Sequence, residues 1–288
     1  MPQLSIGTAN FNNSYGIFKK THLREDEQDQ LLQNAWQSGF RYIDTAISYD
    51  GVHESLAKLD SFKKNNWQIT TKIPKIKIGL SETKVTSLVI SIIDEALSIL
   101  SVDKIDTILI HDNSIVSRMK DLGNILRALD IASNQNLIGS YGLSIYNRLD
   151  SKILSEFVKN NKKIVIQGPL SIYDRRLEEY TKNNKYDFKF ESRSIFLQGM
   201  ILDFKKYLNS FGEDKGLRHF QSWLKLNKIS ALEACISFAK YSKSDKLIIG
   251  FGNINELNEF VNIYDSSIDF KPPIFCRDER ILNPLNWR

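Results

Sequence analysis

The sequence predicts a single closed (β/α)8 barrel, and three observations carry that prediction. Apolar, β-branched runs alternate strictly with helical patterns along nearly the whole 288-residue chain, the pattern of a parallel sheet. Eight such repeats fill residues 4 to 264, which matches one closed barrel. The turn after the first run, "GTANFNNSYG", lacks the GxGxxG of an open doubly wound sheet, which is the alternative architecture. The whole of 1–288 is therefore read as one barrel domain.

The elements follow in order. Residues 4–9 ("LSIGTA") read as a strand and 25–39 as a helix closed by Gly39. Residues 40–46 ("FRYIDTA") are a strand and 52–64 a helix. Residues 67–72 ("WQITTK") are a strand, and 81–100 a long helix that Ser81 can cap. Residues 105–111 ("IDTILIH") and a helix over 116–133 come next, then a strand over 137–144 and a helix over 149–161. The sixth strand spans 163–168, with a helix over 175–183, and the seventh spans 186–194. An insertion with its own helical segments covers about 201–227 and precedes a helix over 230–242. The eighth strand is 246–250, its helix 253–264, and the "KPP" tail over 271–288 reads as irregular.

Composition narrows the function. Hydrophobic residues make up 42%, enough for a large core. Lys plus Arg number 39 against 34 Asp plus Glu, a net charge of +5 without a basic stripe, so nucleic acid is not an expected partner. No apolar run approaches the ~20 residues of a membrane helix, and "MPQLSIGTANF" does not read as a signal peptide. Cys235 and Cys276 form no CxxC pattern, and Cys235 reads as a buried thiol. These features together predict a cytoplasmic protein, a monomer or weak homo-oligomer.

In a barrel of this type the functional side chains gather at the C-terminal ends of the strands. Those positions hold Asp44 with Tyr49 in the loop beyond, then Lys72, His111, Ser144, Gln167, Arg193 and Ser194. A lone polar residue at a strand end is ordinarily a cap or a solvent contact. An acid, a phenol, an amine and an imidazole from three consecutive strand ends make a more specific set. A phenol is a proton donor at neutral pH. A nearby ammonium is expected to lower its pKa, a carboxylate to hold that ammonium, and an imidazole to orient a substrate oxygen. The set can protonate a carbonyl oxygen, but it holds no hydride, so a redox reaction needs a cofactor.

The sequence resembles the aldo-keto reductases over essentially its full length. The matching pieces are "IGTANF", "GFRYIDTAISYDG", "TTK", "IDTILIHD", "YGLS", "VIQGPLSIYDRR", "SRSIFLQGMI" and "LIIGFGNINEL", in order. The resemblance implies a catalytic tetrad of Asp44, Tyr49, Lys72 and His111, with Tyr49 as general acid. It implies a nicotinamide cofactor, NADP or NAD, extended across the barrel mouth, and a small-molecule carbonyl substrate such as a sugar or other small aldehyde. By the same resemblance the first-strand Gly7 and Thr8, together with Asp44, border the cofactor. Ser144 and Gln167 would bind its carboxamide, and Arg193 would stand where a tyrosine usually stacks on the nicotinamide, a role a guanidinium plane can fill. Ser194 would contact the pyrophosphate, with Leu197, Gln198 and Gly199 continuing that loop. Gly250, Asn253 and Glu256 would hold the far end at a helix N-terminus.

The chain departs from the family pattern at several places. Ile145 stands where Asn is common, and "YDGVHE" puts Glu54 one residue further from the tyrosine than usual. "GFGNINE" has no basic residue for a 2′-phosphate, leaving Lys246 or Lys271 as candidates to reach it. The alternative function is a cofactor-binding regulatory subunit with little turnover. A weaker one is an isomerase or lyase on the same barrel. His53 and Glu54 match no metal-binding spacing. His22 and His219 read as non-catalytic, and Trp36, Trp67 and Trp223 as packing residues. Trp287 and the tail are expected to fold over the barrel mouth.

Overall fold

Eight parallel strands close in chain order, with the last hydrogen-bonded to the first. The computed structural model describes residues 1–12, 22–111, 114–115, 118–150, 154, 158, 164–182 and 188–287. The strands are β1 Gln3–Gly7, β2 Tyr42–Asp44, β3 Gln68–Ile73, β4 Ile105–Ile110, β5 Ile138–Ser144, β6 Ile164–Pro169, β7 Phe188–Arg193 and β8 Lys246–Ile249. Parallel strands under helices are covered on both faces. Accordingly every residue of β6 and β8 is buried, as is all of β3 after Gln68.

The outer layer is helical. Its members are α1 Glu25–Gln37, α2 Val52–Lys58, α3 Asp60–Lys64, α4 Glu82–Leu100, α5 Met119–Asn134, α6 Glu179–Lys182, α7 Phe204–Phe211, α8 Lys215–Asn227, α9 Ala231–Tyr241, α10 Ile254–Ser266 and α11 Glu279–Leu282. In α4 the buried Val85, Val89, Ile93, Ala96, Leu97 and Leu100 form one apolar stripe against the barrel. Ser81 Oγ accepts from Lys84 N at its start, and Ser230 with Glu233 forms a reciprocal cap on α9.

Three expected elements differ. The helix over 52–64 is two helices, because Leu59 turns to φ −67°, ψ 130° and buries its side chain between them. The helix over 175–183 shrinks to α6. Ser171 Oγ accepts from Tyr173 N and Asp174 N, and the Asp174 carboxylate accepts from Arg176 N, Nε and Nη2, so the preceding residues are held in turns. The tail contains α11 and a short 3-10 turn, Pro284–Asn286. It packs on the segments that follow the C-terminal ends of β6 and β7: Trp287 meets Phe211 edge-on, and Phe275 packs against Tyr173, Phe220 and Trp223. The expected helix over 149–161 lies almost wholly outside the described residues, and so do Val116 and residues 186–187. Among the described residues no helix is long and apolar enough to cross a membrane. Both cysteines are buried, and burial pushes their thiols up, that of Cys276 to about 11.

Candidate active site

The C-terminal ends of β1, β2, β7 and β8 open onto a cleft of about 450 Å³. Gly7, Asp44, Tyr49, Arg193, Ser194, Gly199, Gly250 and Glu256 line it, all residues singled out from the sequence. The insertion contributes Leu202, Asp203 and Lys206 to the wall, which the sequence pattern did not single out.

Strand register places the chemistry. Gly7, Asp44 and Thr70 are partners across β1, β2 and β3, and Lys72 lies one pleat beyond Thr70 on the same face. Lys72 Nζ donates to Asp44 Oδ1 at 2.6 Å and to the Thr45 carbonyl at 2.8 Å. Lys72 is among the most deeply buried large side chains. Tyr49 is held by a turn in which its N–H donates to the Ala46 carbonyl and its own carbonyl accepts from Val52 N. Gly51, at φ +64°, makes the left-handed step that lets α2 start so soon after the tyrosine. The Lys72 ammonium lies 5.6 Å from the centre of the Tyr49 ring, and His111 meets that ring edge-on at 6.3 Å. His111 Nδ1 is 3.3 Å from Ser48 Oγ. The four residues from separate strands and loops are therefore brought together.

The electrostatics correct one expectation. The Tyr49 phenol is pushed well above its ordinary pKa, chiefly by burial and then by the Asp44 charge, while Arg193 pulls the other way. The Lys72 ammonium is bound by Asp44 and the Thr45 carbonyl, and the net shift of the phenol remains upward. The phenol stays protonated at neutral pH.

The remaining sequence-predicted residues divide. Arg193 guanidinium lies 4.3 Å over the Tyr146 ring and donates to the Ile145 carbonyl at 3.1 Å. Ser194, Leu197 and Gln198 have φ of 59°, 48° and 53°, left-handed backbone that non-glycine residues seldom adopt. Thr8, Ser144, Gln167 and Asn253 do not line the cleft. Thr8 donates through both its N–H and Oγ1 to the Asp44 carbonyl, and Asn253 Oδ1 caps α10. Ser144 is buried beside its register partner Gln167. Gln167 Nε2 donates to Asp44 Oδ2 at 2.7 Å and to Glu191 Oε2 at 3.2 Å, while its Oε1 is buried with no partner. Lys246 cannot reach a cofactor phosphate: it points into the barrel and is bound to Glu191 at 2.6 Å. Lys271 is not on the cleft wall either. At the β8 end the wall carries Glu256 and Glu259, and Glu256 Oε2 accepts from Gly252 N.

These features fit an extended dinucleotide. The unpartnered Gln167 Oε1 can accept from a carboxamide that enters beside Asp44, and the wall from Gly7 and Arg193 through Gly199 to Gly250 and Glu256 is largely apolar, with Asp44, Arg193, Ser194 and Glu256 as polar groups along it. The sequence profile described as "Aldo/keto reductase family" matches residues 3–271. No curated protein sequence matches the chain. Among solved structures, an aldo-keto reductase from Bacillus halodurans in its holo form is similar at 16% identity. That match covers 99% of this chain and 92% of the other, with a TM-score of 0.68. A glycerol dehydrogenase from Gluconobacter oxydans is similar at 15% identity, covering 92% and 87%, with a TM-score of 0.69. An aldo/keto reductase from Brucella melitensis is similar at 18% identity, covering 94% and 91%, with a TM-score of 0.64.

Proposed function

The chain belongs to the aldo/keto reductase family, and from that premise we propose that it is an NAD(P)-dependent oxidoreductase that reduces an aldehyde or ketone with Tyr49 as general acid. The observation that carries this reading is the meeting of a buried Asp44–Lys72 pair, a protonated Tyr49 and His111 beside one long cleft. When bound, the nicotinamide cofactor supplies the hydride. Gly7, Arg193, Ser194, Gly199, Gly250 and Glu256 would hold it along the cleft, with Gln167 accepting from its carboxamide.

The protein's own contribution is positioning and proton supply. Tyr49 keeps its proton because it is buried beside Asp44, and so presents a neutral donor to the substrate oxygen. As negative charge grows on that oxygen in the transition state, the Lys72 ammonium nearby stabilises the phenolate that Tyr49 becomes. Asp44 and the Thr45 carbonyl hold Lys72 in place for this. His111, set edge-on to the tyrosine ring, is placed to orient the carbonyl. Arg193, fixed by Tyr146 and the Ile145 carbonyl, offers a flat cationic wall to the cofactor ring. Small aldehydes, including sugar aldehydes, are the proposed substrate class.

The test mixes the protein with NADH or NADPH and a panel of aldehydes and follows cofactor absorbance. Oxidation of either dinucleotide that depends on the aldehyde supports the reading. A protein that neither quenches its tryptophan fluorescence on adding either cofactor nor turns over any aldehyde would falsify it.

A further inference from the structure

A second buried ion pair crosses the barrel interior outside the four residues above. Lys246 Nζ donates to Glu191 Oε1 at 2.6 Å, with 8% and 3% of the two side chains exposed. Lys246 also lies 4.3 Å over the Tyr42 ring and 3.5 Å from Thr70 Oγ1. Gln167, Glu191 and Lys246 are register partners across β6, β7 and β8, so the three side chains leave the barrel wall side by side.

The carboxamide of Gln167 stands between two carboxylates. Its Nε2 is 2.7 Å from Asp44 Oδ2 and 3.2 Å from Glu191 Oε2. An amide NH2 has two hydrogens, one for each acceptor. The opposite flip would set the amide oxygen against two acceptors, so the two acceptors fix the orientation. The cost is that Oε1 is left fully buried without a donor. Two apolar side chains could fill the space of Glu191 and Lys246 without loss of stability, so packing does not account for the pair.

We infer that Glu191, held by Lys246, is a positioning residue that acts through Gln167. It locks the carboxamide so that Nε2 bonds Asp44 and Oε1 stays available to an N–H donor of a bound ligand. The identity of that ligand as a nicotinamide carboxamide rests on the function proposed above, whereas the locking itself does not.

The experiment therefore has two arms. In the first, exchange of the Gln167 side-chain NH2 protons is followed by NMR in the protein without cofactor, the signals being identified by their loss in Gln167→Met. They should exchange slowly in the wild type and fast in Glu191→Met/Lys246→Met. In the second arm, the same double variant should bind NADH or NADPH, whichever binds the wild type more tightly, about tenfold more weakly, the loss of one amide–amide hydrogen bond. Glu191→Gln/Lys246→Met, which restores a neutral acceptor, should recover both the protection and the affinity. In a Gln167→Met background the Glu191→Met/Lys246→Met change should add no further loss of affinity.

Free exchange of the Gln167 protons in the wild type overturns the inference. So does protection that survives in Glu191→Met/Lys246→Met, or failure of the glutamine rescue, or additive losses in the Gln167→Met background. If Glu191→Met/Lys246→Met does not fold, the wild type and Glu191→Gln/Lys246→Met still decide through the exchange arm, both being required to protect the amide. If the wild type binds neither dinucleotide, the proposed function fails and the exchange arm alone judges the lock.

Discussion

The Lys72 ammonium lies 2.6 Å from Asp44 Oδ1, with only 2% and 6% of the two side chains exposed. Removing one partner of such a pair leaves the other charge buried and uncompensated. Asp44→Asn is expected to lower stability by about 3–5 kcal/mol, read as a shift of the urea midpoint. Replacing both, in Asp44→Leu/Lys72→Met, should restore most of the stability while leaving no turnover. Equal destabilisation by the single and the double change would show that packing, not charge, is what the pair supplies.

Tyr49 titrates above its ordinary range because it is buried beside Asp44. The group is an acid that must hold its proton, so a raised pKa extends the active range upward. The rate of carbonyl reduction is expected to stay flat through about pH 10, the ordinary phenol value. Tyr49→Phe should lower kcat roughly 100- to 10,000-fold, the usual worth of a general acid, with cofactor affinity unchanged. A fall in rate centred near pH 8 that disappears in Tyr49→Phe would assign the phenol a lowered pKa instead.

Most of this frame is legible in the amino-acid sequence, for a physical reason. Strands covered on both faces read as apolar runs, and the first polar residue at each end marks the rim, so Asp44, Lys72 and His111 could be picked out. The same logic fails inside the barrel. In "FKFESRS" nothing distinguishes an inward Glu191 from an outward one, and its partner Lys246 opens a strand 55 residues later. The break at Leu59 was invisible because no glycine or proline marks it, and both flanking segments keep a helical apolar pattern. Thr8 and Asn253 looked like cofactor contacts by position. In the fold their polar atoms serve the Asp44 carbonyl and the α10 cap.

Glu256 and Glu259 stand on the cleft wall at the β8 end, while Lys246 is held by Glu191 inside the barrel. A 2′-phosphate placed at that end would meet carboxylates; a ribose hydroxyl can donate to one. NADH is expected to bind at least as tightly as NADPH, measured by quenching of tryptophan fluorescence. The wall carries two cations, Arg193, which lies over Tyr146, and Lys206, contributed by α7. A clear preference for NADPH that is lost in Lys206→Ala would assign the phosphate to the insertion instead.

His53 is buried with its Nε2 3.0 Å from Thr71 Oγ1, and burial lowers its pKa to about 4. The unfolded chain, with an ordinary histidine, binds the proton more readily. Stability from this group is therefore full above about pH 6.5 and falls as the pH drops toward 4. The loss over that window is up to about 3 kcal/mol. His53→Gln keeps a polar partner for Thr71 and should flatten the acid limb of a stability–pH curve. An unchanged slope in that variant would place the acid sensitivity elsewhere.

Gly142 sits in β5 where the chain comes closest to its neighbour. A Cβ there would lie 1.6 Å from the Val165 carbonyl oxygen and 2.6 Å from its carbon, both backbone atoms of the paired strand. No rotamer relieves such a clash, because the first side-chain carbon causes it. To fit, β5 and β6 must separate, which breaks the ladder that presents Ser144 beside Gln167. Gly142→Ala is expected to cost more than about 4 kcal/mol, seen as insoluble protein or a collapsed thermal midpoint. Gly123 in α5 is the control, since a Cβ there meets only the flexible end of Arg127 at 3.7 Å. Gly123→Ala should gain about 0.5–1 kcal/mol from helix propensity alone. Opposite signs for one chemical change at two glycines would show that strand spacing, rather than backbone freedom, fixes the residue at 142.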